Sequence, residues 1–122
     1  MGEILVLDIE QIETLFCQQI VELDKVWTIQ DEKGIPTPLN SENIRSMPFW
    51  SELTSAESFI AKMAGYEAFQ VLEIAREAFV DKWISGIHQD GLCIGLNWSA
   101  ESDNNIDIEP AELADKIKQV TK

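Results

Sequence analysis

The hydrophobic period changes from that of a helix to that of a strand within the first thirty residues. Ile9, Ile12, Phe16, Ile20 and Leu23 step by 3, 4, 4 and 3, which puts them on one helical stripe. Asp8 with Gln11 has the arrangement of a capping box, and the opposite face, carrying Glu10, Glu13, Gln18 and Glu22, is expected to be wet. From Lys25 to Gln30 the residues become β-branched and aromatic, as a strand requires. Asp31 to Gly34 reads as a turn. Pro36 and Pro38 then break the next extended stretch or confine it to an edge, and Pro48 does the same to Met47–Trp50. The turns joining these early extended segments are too short for parallel crossovers, so strands and helices interleave only in part.

Beyond residue 50 the two periods alternate. Thr54 with Glu57 offers a second capping box before the stripe Ala56, Phe59, Ile60, Met63 and Ala64, and Gly65 ends it. Residues 69–74 alternate as a strand with unequally buried faces. Phe79, Trp83, Ile84 and Ile87 form a helical stripe that stops near Asp90-Gly91. Leu92, Ile94, Leu96 and Trp98 are expected on one strand face, with Cys93, Gly95 and Asn97 on the other. A short strand over 106–108 follows an acidic loop, and Pro110 starts a last helix with Leu113, Ile117 and Val120 inward. This order predicts one α+β domain over residues 1–122. Its sheet is mixed and mainly antiparallel, with four to six strands covered by three or four helices.

A chain of 122 residues buries roughly two-thirds of its unfolded surface and needs no staple to fold. Nine basic side chains against 22 acidic ones leave a net charge of −13. Most of such a surface repels a phosphate backbone and an anionic bilayer, so neither nucleic acid nor membrane is an expected partner. Cys17 and Cys93 are too few for a secreted disulfide framework and are expected to be free and mostly buried. The start, Met1 to Asp8, lacks a basic region and carries only four consecutive apolar residues, so no signal peptide is read there. Gly2 does not make a myristoylation site, because Val6 stands where Ser or Thr is required. The expected location is the cytoplasm.

Side chains with chemistry are scattered. Asp103-Asn104-Asn105-Ile106-Asp107 copies the first ligand positions of a calcium loop. Ile108 and Ala114 stand where Gly and Glu are needed, so the stretch is read as an acidic turn in water. One His and two distant Cys cannot build a tetrahedral zinc site. His88 lies five residues from Cys93, but an activated thiolate needs electropositive surroundings that this chain does not supply. His88 is read instead as favourable to a helix C-terminus. Glu73, beside an apolar run, is read as a sheet-margin residue with its carboxyl in water. No catalytic residue, metal or cofactor is assigned.

The tryptophans say more. Trp27, Trp50, Trp83 and Trp98 lie on different segments, so a compact fold gathers several of them, either as core filling or as the lining of a groove. Asn97, between Leu96 and Trp98, is expected to tie down the following loop through its amide. Trp27, Trp50, Trp98 and Asn97 are therefore the candidate binding residues.

Certain residues carry a resemblance as a set. Val26-Trp27-Thr28-Ile29-Gln30-Asp31-Glu32 with Gly34, Pro48-Phe49-Trp50, Tyr66, Phe79 with Trp83, Asp90-Gly91 and Gly95-Leu96-Asn97-Trp98 resemble an uncharacterised bacterial family. It is the domain of unknown function 2750, and the likeness runs from about residue 22 to 120. The order of segments is also similar, in architecture, to the N-terminal module of SseB-like proteins. The resemblance implies an α+β fold and a bacterial cytoplasmic source, and it brings no reaction or catalytic residue. The expected function is a small acidic, non-enzymatic interaction module, regulatory or immunity-like, that meets another and preferably basic protein. The alternatives are a small-molecule binder or weak enzyme with a Trp-lined pocket, and an acidic mimic of a nucleic-acid backbone.

Overall fold

The computed structural model describes residues 9–40, 42–101 and 105–121. Asp8 of the first capping box, Asp103 and Asn104 of the calcium-like stretch, and the chain start lie outside them. Helix α1 spans Ile9–Leu23. Asp24, in the left-handed region at φ 60°, turns the chain directly into β1 (Lys25–Gln30). Asp tolerates that conformation better than most side chains. Arg76 fixes the turn, since its Nε donates to the Asp24 carboxylate at 3.0 Å and its backbone N–H to the Asp24 carbonyl at 3.2 Å. Residues 35–39 form no strand. Their two prolines leave a single bridge, Leu39 to Arg45, ahead of β2 (Ser46–Phe49).

Helix α2 covers Leu53–Lys62 and β3 covers Gln70–Ala75. A continuous helical rod follows, built from α3 (Arg76–Ala78), a π-helical turn (Phe79–Trp83) and α4 (Ile84–Gln89). Strand β4 (Cys93–Leu96), strand β5 (Ile106–Ile108) and helix α5 (Pro110–Val120) complete the order. Two small sheets result, with β1 antiparallel to β3, and β4 parallel to β2 and antiparallel to β5. The fold is α+β, as read from the sequence, with antiparallel pairings outnumbering the parallel one.

The two sheets are stitched between β1 and the end of β2. Trp27 and Trp50 exchange both backbone hydrogen bonds, at 2.9 and 2.7 Å. Pro48 has no N–H to offer, and the buried Thr28 hydroxyl donates to its carbonyl at 2.7 Å. This row of strands divides the interior. On one side Val26, Phe49 and Ile74 join Phe16, Cys17 and Ile20 of α1, Leu113 and Ile117 of α5, and the rod in the larger core. On the other side Trp27, Ile29, Trp50, Ala56 and Phe59 form a second, smaller cluster. Covering on both faces explains why Val26, Trp27, Thr28 and Ile29 are all buried, where a one-faced strand would alternate.

Four expectations are corrected. Glu13, expected in water, is only 6% exposed because α5 arrives with Lys116, whose ammonium lies 3.3 Å from the Glu13 carboxylate. Burial on α1 centres on Glu13, Phe16, Cys17 and Ile20, while Ile9 (58% exposed) and Leu23 overhang its ends. The Thr54–Glu57 capping box does not form, since the helix begins at Leu53 with Glu52 at its N-cap position and no side-chain cap. The π turn also changes the next stripe. The Ile84 N–H reaches back to the Phe79 carbonyl, and Ile84 is buried together with Phe79. Trp83 is left half-buried, edge-on to Phe49 at 5.9 Å.

Candidate functional site

The four candidate residues are neighbours, although the structure gives them unequal places. Trp27 and Trp50 are interior. Trp50 donates its Nε1–H to the Trp98 carbonyl at 2.8 Å, so the indole of β2's end holds the backbone that follows β4. Asn97 lies in the left-handed region at φ 50°. Contrary to expectation, its amide does not tie the following loop. It faces the opposite way, accepting the Ser51 N–H at 2.9 Å and donating to the Ser51 hydroxyl at 3.1 Å. Ser51, fully buried, also donates to Gln19 of α1. The start of α2, the end of β4 and the side of α1 are thus locked together by neutral polar groups.

The left-handed residue overturns another expectation. A continued strand would put Trp98 on the face of Ile94 and Leu96. With Asn97 reversed, the indole instead lies against Gly95. A Cβ built on Gly95 would sit 2.3 to 2.6 Å from three indole atoms, so only glycine leaves room for the ring. From there Trp98 Nε1–H donates to the Ile106 carbonyl at 3.1 Å and the Asp107 carboxylate at 3.2 Å.

Asp107 is the residue that sequence reasoning missed. In place of a water-facing turn, it is half-buried on β5, where alternation turns it away from Ile106 and Ile108. Its second oxygen accepts the Asn40 amide and the Ser46 hydroxyl, each at 2.8 Å. Asn40 in turn holds its own loop, accepting the N–H groups of Glu42 (2.8 Å) and Ile44 (3.0 Å). One carboxylate therefore fixes both Asn40, with the Glu42 and Ile44 backbone it holds, and the Trp98 ring. Its charge is met by neutral donors, and among the described residues no Lys or Arg pairs with it.

Between that loop and the C-terminal end of α2 lies a cleft of about 480 Å³. Phe59, Met63, Tyr66, Trp98 and Leu39 supply apolar walls, with Glu42, Asn40 and Asp107 as polar points. Another hollow, of about 610 Å³, lies where β1 ends and β3 begins, bounded by Gln30, Asp31, Glu32, Ala68 and Gln70. It lacks an aromatic wall and reads as a solvent-filled sheet edge.

Nucleophiles are poorly placed. Burial pushes the Cys17 thiol up to about 11, with nearby Lys116 opposing and Glu13 adding to the effect. Burial also raises Cys93, and the carboxylates of Asp107, Glu109 and Glu42 raise it further. Both sulfurs are free, neutral thiols near pH 7, the opposite of an activated thiolate. His88 is exposed in the last turn of α4. Glu73 is exposed and lies 3.7 Å from Lys25, as a sheet-margin carboxylate should. Among the described residues no group of three metal-ligating side chains converges, and no helix is long and apolar enough to cross a membrane.

Residues 14–117 match the family model described as "Protein of unknown function (DUF2750)". The chain belongs to that family. The matched span runs from the middle of α1 to Ile117, so it takes in the buried residues of both cores, the cleft except Ile9, and the Asp107 hub of this DUF2750 member. No curated protein matches the chain.

Proposed function

We propose that this DUF2750 chain is a small acidic interaction module, without chemistry of its own, whose cleft receives a basic segment of another protein. One observation carries the reading. The cleft joins aromatic and aliphatic walls to polar points, and its shape is set in advance by a half-buried carboxylate that has no cationic partner among the described residues. Binding then costs little reordering, because the Asn40 loop and the Trp98 ring are already fixed. A surface of net charge −13 attracts basic partners at long range, while the rings and Leu39 supply contact area.

The test is capture from a bacterial lysate at low salt, elution with rising salt, and repetition with Leu39→Ser. A basic protein released by salt and not retained by the variant supports the module. Retention that ignores both salt and the substitution overturns it. A second reading, a small-molecule binder, draws on the cleft volume of about 480 Å³, a size common among ligand pockets. A metabolite that shifts indole fluorescence in the parent but not in Trp98→Phe would favour it.

A further inference from the structure

We infer that the inner end of the cleft is a site for a weakly hydrated organic cation, the head of an arginine or an N-methylated lysine side chain. This rests on the docking of a basic segment proposed above and names the group that enters first.

Three aromatic rings meet there. Phe59 lies 5.2 Å from Tyr66 at 75° and 6.4 Å from Trp98 at 49°, centroid to centroid. Phe59 is 2% exposed and forms the floor, whereas Tyr66 and Trp98 are half-buried and border the opening. Each bordering ring is held. Tyr66 packs on Phe69 at 4.9 Å, and Trp98 is pinned over Gly95 with its N–H on Asp107. Burial raises the Tyr66 hydroxyl above its ordinary range, so the ring stays a neutral phenol.

Ring faces carry partial negative charge and attract a cation within about 6 Å of the centroid. Walls of carbon cannot replace the hydration shell of a bare ammonium, which favours a guanidinium or a methylated ammonium. Asp107 supplies the counter-charge. A carboxylate has roughly four acceptor positions, and Asn40, Ser46 and Trp98 take three of them, leaving room for one N–H of the incoming group.

The probes are tetramethylammonium and guanidinium chloride, with neopentyl alcohol as the uncharged shape control, at ionic strength matched with NaCl. The readout is the ¹⁵N–¹H signal of the Trp98 indole, assigned by its loss in Trp98→Phe. Both cations should shift that signal saturably, and the alcohol should not. Tyr66→Leu should weaken the cations by roughly three- to tenfold, and Tyr66→Phe should restore what Tyr66→Leu loses. Asp107→Asn should weaken them by a similar factor, with a thermal melt confirming that each variant is folded.

Equal shifts by the alcohol, or a linear response to the cations, overturns the inference. A basic partner that binds with the Trp98 signal unmoved also overturns it, while the docking reading stands. Saturable cation binding without any basic partner supports the site and sinks the docking reading.

Discussion

The two sides of the strand row are built on different terms. The larger core draws on α1, α5, the rod and β4, and its buried residues are aliphatic and phenyl groups with one thiol. Its charged feature is the Glu13–Lys116 pair at the α1–α5 seam. Among the described residues the smaller cluster has five buried members, two of them tryptophans, and its surroundings stay half-exposed at Trp98, Tyr66, Met63 and Phe69. Its polar features are neutral donors arranged around Asn97 and Asp107. The first arrangement excludes water and supplies stability. The second presents fixed groups to water, which is what recognition requires.

Truncation is the sharpest way to break that contrast. Phe16→Ala, at a fully buried position in the larger core, should cost about 3–5 kcal/mol in urea unfolding. Met63→Ala, beside the cleft and half-buried, should cost less than about 1 kcal/mol while weakening partner capture. Equal losses would mean that the indole side is as much a stability core as the other.

Alkaline pH weighs most on the larger core, where the buried Cys17 thiol lies. Cys17 titrates near 11 in the fold against 9.0 as the ordinary value. Between those values the unfolded chain has lost the thiol proton and the folded one keeps it, so stability falls as pH rises. The full loss is roughly 2–3 kcal/mol by pH 11. Lys116 acts in the same direction. Its hydrogen bond to Glu13 raises its pKa, so the pair's contribution is present below the usual lysine range and disappears as pH climbs through the raised value. Unfolding measured at pH 8, 9, 10 and 11 should show the decline. Cys17→Ala should make it shallower between 9 and 11, with the raised Cys93, Tyr66 and Lys116 keeping a remainder, while Trp98→Phe should leave its slope alone.

Much of the larger core was legible because periodicity reports which residues share a face. The order of elements, the strand at 25–30, the short strand at 106–108 and the helix opened by Pro110 all follow from spacing and proline placement. Glu13 was not legible, because its burial depends on Lys116, more than a hundred residues away in sequence. The cleft was harder still. Trp98 changes faces because Asn97 is left-handed, and alternation presumes that no residue does this. Asp107 was read only as the end of a calcium-like stretch, an acidic turn in water. What distinguishes it is the convergence of Asn40, Ser46 and Trp98, which is a property of topology and not of local pattern. Thr54 carries a capping signature, yet the helix starts before it, with Ser51 drawn into the Asn97 lock.

A smaller effect should come from Gly95→Ala. The added methyl meets Trp98 ring atoms at 2.3 to 2.6 Å, closer than any carbon contact tolerates, so the indole must lift from β4. Overpacking of this kind typically costs 1–3 kcal/mol. The informative readout is the Trp98 indole signal, which should move as its bonds to Ile106 and Asp107 are disturbed. A loss of stability with that signal unmoved would show that β4 yields instead of the ring.

Leu39→Ser should change stability least. Leu39 is 56% exposed on the loop that Asn40 and Asp107 hold, and its backbone bridge to Arg45 does not depend on the side chain. Exposed substitutions of this sort usually stay within about 0.5 kcal/mol. The same residue is an apolar lip of the cleft, so a bound segment would bury much of the area the serine lacks. Losing contact for one such side chain is worth roughly 1–2 kcal/mol, or about five- to thirtyfold in affinity. An unchanged melt with weakened capture would place Leu39 on the recognition side of the strand row. A melt lowered by more than about 1 kcal/mol would instead make the loop part of the folding core, and the division between the two sides would fail at the position where exposure makes it clearest.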